Sequence, residues 1–338
     1  MKEIVIAGGG LAGLSLGIAL RNHGVPVLIR EASTYPRHRV CGEFVNGVTH
    51  ETLTVLGIDH LFKDALRHEA TRWWMGDQRI LEAHLPRPAL GMSRWEMDER
   101  LRVEFEKAGG KLSTNDRVRG EPAEGLVWTA GRRLDKGSAI LGLKAHFEGL
   151  ELEGFLEMHL GDGSYIGLTP ITADGSRVNV CGLFRKYAHR KGANPIVDAL
   201  RNCGLESLAA RLANARMDER SLTGISGIEL GRQSGDSSLC TLGDAERMIP
   251  PFTGNGMSMA FESAECALAP LLKFADGQAG WAATRMEISR ALDERFRARV
   301  NFALLMHRCL LNRAGRATLS AAGRSGVLPF AWLHRRLS

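Results

Sequence analysis

Glu3-Ile-Val-Ile-Ala-Gly-Gly-Gly-Leu-Ala-Gly13 opens the chain, and its reading decides the fold. Glu3 to Ala7 make an apolar run of strand length. Gly8-x-Gly10-x-x-Gly13 follows at once, and Leu11, Leu14 and Ile18 then recur at helical spacing. Strand, glycine turn and helix, in that order, are the context of a dinucleotide-binding fingerprint. Gly8 permits the tight turn, Gly10 lets backbone approach a pyrophosphate, and Gly13 lets helix and strand pack closely. Free N–H groups at the helix start, around Leu11 and Ala12, then face the phosphates. A second strand, Pro26 to Arg30, ends in Glu31, placed where a ribose hydroxyl needs a carboxylate acceptor.

Composition bounds the rest. A chain of 338 residues with 44% hydrophobic and 6% aromatic content fits two globular domains or one composite. Cys41, Cys181, Cys203, Cys240, Cys266 and Cys309 are scattered, without a C-x-x-C pair. That argues against a metal site or a disulfide framework and fits a reducing compartment. A strand beginning at residue 3 leaves no room for a signal peptide, and no apolar run reaches the roughly 18 residues of a membrane span. A cytoplasmic location is expected. The net charge is +6.

Tyr35-Pro-Arg-His-Arg-Val-Cys-Gly-Glu43 reads either as a surface loop or as a loop over a cofactor, with Arg37 or Arg39 on phosphate and Cys41-Gly42 near a ring. One or two short helices follow, between Thr49 and Leu66. Glu69 to Leu90 reads as two strands, with Trp73 and Trp74 packed beneath a sheet or lining a pocket. Ser93 and Glu96 have the spacing of a capping box, and Leu101, Phe105 and Ala108 form the apolar face of the helix they begin. Lys111 to Val118 and Gly125 to Ala130 read as strands. From Ala139 to Leu230 the character changes to alternating strands with hairpin turns at Gly161-Asp-Gly163 and Asp174-Gly175, interrupted by two helices near 193–202 and 205–215. This fits an antiparallel sheet with one face covered.

The opening pattern then returns. Ser238 to Leu242 is a short apolar strand ending in Gly243-Asp244-Ala245, and Pro250-Pro251-Phe-Thr-Gly254-Asn255-Gly256 leads into a helix from about Met257. Asp244 at a strand's carboxyl end is placed to accept hydrogen bonds from a polyol. Gly254 and Gly256 bare a helix start whose dipole favours negative charge, such as that of a reduced flavin. Beyond Trp281 the chain reads as helical and rich in arginine. Two readings stand for that segment: a solvated face, or attachment to an anionic membrane surface or an acidic carrier. No nucleic-acid module is present.

Together these residues resemble the FAD-dependent oxidoreductases of the p-hydroxybenzoate hydroxylase and geranylgeranyl reductase group, through about residue 275. Four blocks carry the resemblance: Gly8-x-Gly10-x-x-Gly13 with Glu31; Arg37-His-Arg-Val-Cys41-Gly42-Glu43; Ser93-Arg94-x-x-x-Asp98-x-x-Leu101; and Gly243-Asp244-Ala245 through Pro251-x-x-Gly254-x-Gly256. The resemblance implies an α/β fold: a Rossmann-like FAD-binding domain of glutathione reductase type 2, an inserted, mostly antiparallel β-sheet substrate domain, and C-terminal helices. The expected division is 1–68, 92–137 and 236–278 for FAD, 69–91 and 138–235 for substrate, and 279–338 for the helical end. It implies the ADP half on the first block and the ribityl chain on Asp244. The isoalloxazine falls at Gly254, Asn255, Gly256 and Met257. Arg94 lies toward the pyrophosphate–ribityl side and Val118 at the adenine. Arg94 also reads as a helix-start salt bridge, and Val118 as core.

Cys41-Gly42 looks like the reductase branch. Tyr165-Ile-Gly-Leu-Thr-Pro170 looks like that branch's substrate-sheet segment, with glycine at 167 and threonine at 169 where it has tryptophan and phenylalanine. The halogenases' Trp-x-Trp-x-Ile-Pro stretch and the hydroxylases' Asp-Gly motif have no match. No second Gly-x-Gly-x-x-Gly exists for a resident nicotinamide, so NAD(P)H docking transiently, a ferredoxin or another donor would reduce the flavin. The expected function is FAD-dependent redox chemistry on a small or lipid-like apolar substrate, reduction or dehydrogenation before hydroxylation, with Cys41 or Tyr165 as proton donor or pocket wall. The alternatives are an aromatic or polyketide monooxygenase, a non-catalytic FAD-binding sensor, and an NAD dehydrogenase built on the first unit alone.

Overall fold

A computed structural model describes residues 1–119, 122–133, 135, 137–185, 194–233 and 238–337. In chain order the elements are β1 (Ile4–Ala7), α1 (Leu11–Asn22), β2 (Val27–Arg30), β3 (Phe44–Val45), α2 (His50–Val55), β4 (Leu66–Met75), β5 (Gln78–Gly91) and α3 (Arg94–Lys107). Then come β6 (Lys111–Ser113), β7 (Leu126–Trp128), β8 (Ile140–Glu148), β9 (Leu156–Gly161), β10 (Ser164–Pro170), β11 (Arg177–Arg185), α4 (Pro195–Asn202), α5 (Glu206–Ala213) and β12 (Arg216–Ser226). The chain closes with β13 (Gly231–Arg232), β14 (Cys240–Thr241), β15 (Arg247–Met248), α6 (Gly256–Ala275), α7 (Trp281–Leu311), α8 (Arg313–Arg324) and α9 (Phe330–Leu337).

A parallel sheet in the order β14-β7-β1-β2-β6 forms the first half. Its buried strands carry Ile4, Ile6, Val27 and Ile29, as a sheet covered on both faces requires. Helix α1 is buried from Leu11 to Leu20, between the sheet, α3 and α6. Gly17 makes this possible, since a Cβ there would lie 2.8 Å from the Phe105 ring of α3. Ser93 Oγ accepts from the Glu96 N–H at 3.2 Å, the expected cap. The reciprocal half of the box does not form, because Glu96 pairs with Arg100 instead. The strand expected over 111–118 stops at Ser113: Asn115 turns into the left-handed region (φ 55°), and Asp116 folds back onto Arg30 at 2.6 Å.

The second sheet has eight strands, ordered β12-β8-β11-β10-β9-β4-β5-β3. It is antiparallel except where β4 runs parallel to β9, which joins the β4–β5 hairpin to the rest. Alternation along β8 puts Leu143, Ala145 and Phe147 on one face, packed with Val178, Val180 and helices α4 and α5. The other face carries Lys144, His146 and, from β11, Asn179. The expectation of one solvated face fails here: Lys144 and Asn179 are fully buried, because this face closes over the first half of the molecule.

Candidate active site

A groove of about 550 Å³ lies at the carboxyl ends of β1, β7 and β14, where open α/β sheets hold their ligands. Its three fingerprint glycines differ in what surrounds them. At Gly8 (φ 113°) a Cβ would sit 2.6 Å from the Thr129 carbonyl, and at Gly13 it would sit 2.1 Å from the Gly8 carbonyl. At Gly10 nothing lies within 4 Å. Gly8 and Gly13 are needed for packing, while Gly10 faces open groove.

Glu31 is buried, accepting from the Gly9 N–H at 2.7 Å, from the Ser33 N–H at 3.0 Å and from Arg37 at 2.9 Å. It lines the groove and also braces the glycine turn. Tyr35 donates to the Gly9 carbonyl, and a Cβ on Gly9 would collide with that hydroxyl at 1.8 Å. The 35–43 loop, read from sequence as surface or cofactor cover, is thereby pinned to the turn and borders the groove through Arg37 to Gly42.

Arg39 and Arg94 share one buried carboxylate. Asp98 accepts from Arg39 Nε at 2.8 Å and from Arg94 Nε and Nη2 at 2.8 and 3.0 Å. Burial alone would lower the Arg94 pKa; the Asp98 charge outweighs it and holds the guanidinium above its ordinary value. Two cations on one anion leave a positive excess on the groove wall. Arg37 Nε, Arg39 Nη2 and Arg132 Nε are buried there without a hydrogen-bond partner. Orphaned guanidinium donors beside an open glycine are what a pyrophosphate would satisfy.

Gly243 packs directly on α1: its Cβ would lie 3.2 Å from the Ala12 Cβ, and its N–H donates to Ser263 Oγ at 3.1 Å. This seats Asp244 in the same groove as Gly8 and Gly10, with Arg132 3.4 Å away. Loss of water around Asp244 pushes its pKa up, partly offset by Arg132. Leu11, Ala12, Val118, Pro251, Gly254, Gly256 and Met257 also line the groove. Gly13 and Asn255 stand behind its wall. Asn255 is fully buried, taking a hydrogen bond from Asn46 at 2.9 Å and donating to the Leu337 carbonyl.

Cys41 Sγ lies 3.5 Å from Met257 Sδ and accepts from the Glu43 N–H at 3.5 Å; burial pushes its thiol pKa up. Tyr165 borders neither cavity. It packs in the core against Phe252 and His307, with ring centroids 6.0 and 5.7 Å away.

Sequence reasoning passed over the group beneath Cys41. Glu43 is fully buried in the left-handed region (φ 59°). Its carboxylate meets Lys144 at 3.1 Å, His146 at 2.6 Å and the Arg94 N–H at 3.1 Å. Burial disfavours the carboxylate, but the His146 hydrogen bond and the Lys144 charge overcome this and hold its pKa below the ordinary range. Lys144 also meets His38 Nδ1 at 3.1 Å, and burial lowers the His38 pKa to about 4. His38, Glu43 and His146 have ligand atoms close enough for a metal ion, and the Lys144 amine already meets two of the three, Glu43 at 3.1 Å and His38 at 3.1 Å. The signal was present as Lys144 and His146 on alternate positions of β8, yet alternation cannot say that the polar face is buried.

A second cavity, about 90 Å³, lies on the other side of Phe44. Phe44 borders both, as do neighbouring residues of one turn: Pro251 and Gly254 on the groove, Phe252 and Thr253 on the cavity. Gly254 (φ 69°) is what lets Phe44 in, since a Cβ there would come within 2.3 Å of the ring. The cavity is apolar, walled by Trp73, Met158, Leu168, Met306 and Leu310 and covered by Phe330, Leu333 and Leu337 of α9. Of the two tryptophans, Trp73 faces this cavity and Trp74 stacks on His159. Gly167 and Thr169 stand on its β10 wall, and nothing lies within 3.7 Å of a Cβ at Gly167. Its polar lining includes Asn46, His334 and Glu157, the last held by His159 at 3.0 Å and Arg211 at 2.8 Å.

Residues 1–147 match the family model described as FAD binding domain. Menaquinone reductase of Mycobacterium tuberculosis is 27% identical over 115 residues, 32% of this chain; the match spans only 28% of that protein's length. A geranylgeranyl bacteriochlorophyll reductase-like protein from Thermoplasma acidophilum superposes with a TM-score of 0.75 at 16% identity, covering 99% of this chain and 95% of that one. The p-nitrophenol 4-monooxygenase of Pseudomonas putida DLL-E4 gives 0.74 at 14%, covering 100% and 97%. A flavin-dependent brominase gives 0.73 at 19%, covering 99% and 93%. At these identities the likeness establishes the fold, and the family match establishes FAD as the cofactor. No helix among the described residues is long and apolar enough to cross a membrane.

Proposed function

We propose that this chain is an FAD-dependent oxidoreductase that reduces or dehydrogenates an apolar organic molecule held in the cavity beneath α9. The observation that carries this reading is the shared wall. One aromatic ring, Phe44, and one turn, 251–254, separate a charged groove from an apolar pocket. Clefts of that kind between a cofactor layer and a second sheet are common substrate sites. The similarity to a menaquinone reductase supports reduction over hydroxylation.

When bound, the flavin would supply the electron pair for a reduction or accept it in a dehydrogenation. The chain's own residues do the rest. Gly8, Gly10 and the orphaned guanidinium donors of Arg37 and Arg39 receive the diphosphate, and Asp244 accepts from the ribityl hydroxyls. Cys41 carries a proton on Sγ at neutral pH, because burial raises its pKa, and it borders the groove. It is the group placed to hold or release a proton there. Glu43 and Lys144 hold the loop that presents it. The apolar cover of α9 excludes water from the cavity.

The visible spectrum of the purified protein tests the cofactor. Anaerobic stopped-flow with NADPH and candidate quinones or polyprenyl lipids tests the chemistry. Reoxidation of the reduced flavin by such a substrate, in the absence of oxygen, is the expected result. If substrate instead accelerates flavin reduction, and oxygen then yields a hydroxylated product, the protein is a monooxygenase. Flavin that stays oxidised with every donor, together with ligand-dependent partner binding, would make it a sensor.

A further inference from the structure

From Arg295 to the end the chain holds nine arginines and no lysine, aspartate or glutamate, which leaves residues 1–294 at a net −3 within the total of +6. Some of these arginines are spoken for. Arg295 and Arg299 meet Glu262, Arg297 meets Asp293, and Arg316 meets Asp162 at 2.7 Å. Arg308, Arg324, Arg335 and Arg336 are exposed and form no ion pair with any described residue.

Large apolar side chains stand among them. Leu305, Val327 and Trp332 are 57%, 70% and 46% exposed. Trp332 meets the edge of Phe302 at 5.9 Å, which ties α9 to α7, and Arg336 lies 5.3 Å over its ring. Helix α9 therefore has two working sides. Phe330, Leu333 and Leu337 roof the apolar cavity, while Trp332, Arg335 and Arg336 face outward.

We propose that the outer side of α8, α9 and the end of α7 docks on an anionic lipid bilayer, which places the roof of the substrate cavity against the lipid. A solvated basic face needs no exposed tryptophan, valine and leucine. A purely electrostatic partner would use the arginines alone. Basic residues interleaved with exposed apolar ones, on helices none of which is long and apolar enough to span, match the headgroup boundary, where guanidinium meets phosphate and indole sits at the interface. The purpose assigned to the docking, delivery of an apolar substrate through α9, rests on the proposed function; the docking itself does not.

The test is co-sedimentation of the full-length, FAD-loaded protein with vesicles of phosphatidylcholine alone, or mixed with phosphatidylglycerol. We expect binding to the mixed vesicles, about tenfold or more weaker binding to the neutral ones, and loss of binding as salt rises. The double variant R335E/R336E should lose about 30-fold or more in vesicle affinity. Trp332→Ala should lose vesicle binding yet still bind soluble polyglutamate as the parent does. Flavin content and circular dichroism identify any variant that fails to fold, in which case R324E substitutes for the double charge reversal. Absence of binding to the anionic vesicles overturns the proposal. So does vesicle binding that Trp332→Ala leaves intact and polyglutamate competes away, which would point to an acidic protein partner. Vesicle binding without turnover of any apolar substrate would sink the proposed function and leave the docking standing.

Discussion

The groove and the cavity that meet at Phe44 are built from opposite materials. The groove is made largely of backbone and charge: glycines that leave room, arginines with unused donors, and Asp244. The cavity is made of side chains: Trp73, Met158, Leu168 and Leu310, with α9 laid across the top. Backbone and charge suit a fixed polar cofactor. An apolar lining recognises by shape, and shape changes with a few substitutions. The difference explains why the cofactor is legible in this chain and the substrate is not.

The largest effect is expected at the seam between the two halves. Glu43→Ala leaves Lys144 buried without its anion, and removing one partner of a buried pair costs about 3–5 kcal/mol. Urea unfolding of the flavin-free protein measures it; a loss below about 1 kcal/mol would show that the seam does not depend on this pair. Within the groove, Asp244→Ala should weaken FAD binding by about 10- to 100-fold while leaving the melting temperature of the flavin-free protein in place. Flavin fluorescence titration reads it.

The three fingerprint glycines offer a finer contrast. Gly13→Ala forces a Cβ against backbone and should destabilise the flavin-free protein by about 1–3 kcal/mol. Gly10→Ala enters open space, so it should leave that stability unchanged and weaken FAD alone. Equal losses of stability would erase the distinction drawn between them.

Behind the cavity, His307 is buried against Phe252 and Tyr165, and burial lowers its pKa to about 4. Its folded value is depressed below the ordinary 6.5. The unfolded chain therefore binds the proton first as the medium acidifies. The stability that depends on neutral His307 is complete above about pH 6.5 and is lost as pH falls toward 4, by about 2 kcal/mol between pH 7 and 5. In His307→Leu the unfolding free energy should fall less steeply over that window than in the parent. The smallest effect is reserved for the cavity wall: Gly167→Phe should keep the flavin spectrum and raise the substrate KM by about tenfold.

The glycine turn, Glu31, the Gly243–Asp244 strand end and the Ser93 cap could all be located along the sequence, because each is local. A turn needs glycine, a cap needs a hydroxyl, and a strand end needs a few apolar residues in a row. Lys144 and His146 could not be placed. Period-two alternation on β8 divides the strand into two faces but does not say which face meets water, and here both are covered. The same limit applies to Lys111 to Val118, whose apolar and polar residues suit a strand, although Asn115 and the Arg30–Asp116 pair end it after three residues.

From its sequence alone this chain determined the cofactor and the existence of a second, mostly antiparallel sheet, since both follow from short-range chemistry at fixed spacing. Only the tertiary structure decided that Glu43, Lys144 and His146 form a buried cluster beneath Cys41, that Tyr165 lies in the core, and that α9 roofs an apolar cavity. Those outcomes depend on which surfaces of distant segments exclude water together, and burial is a property of the packed chain rather than of any stretch within it.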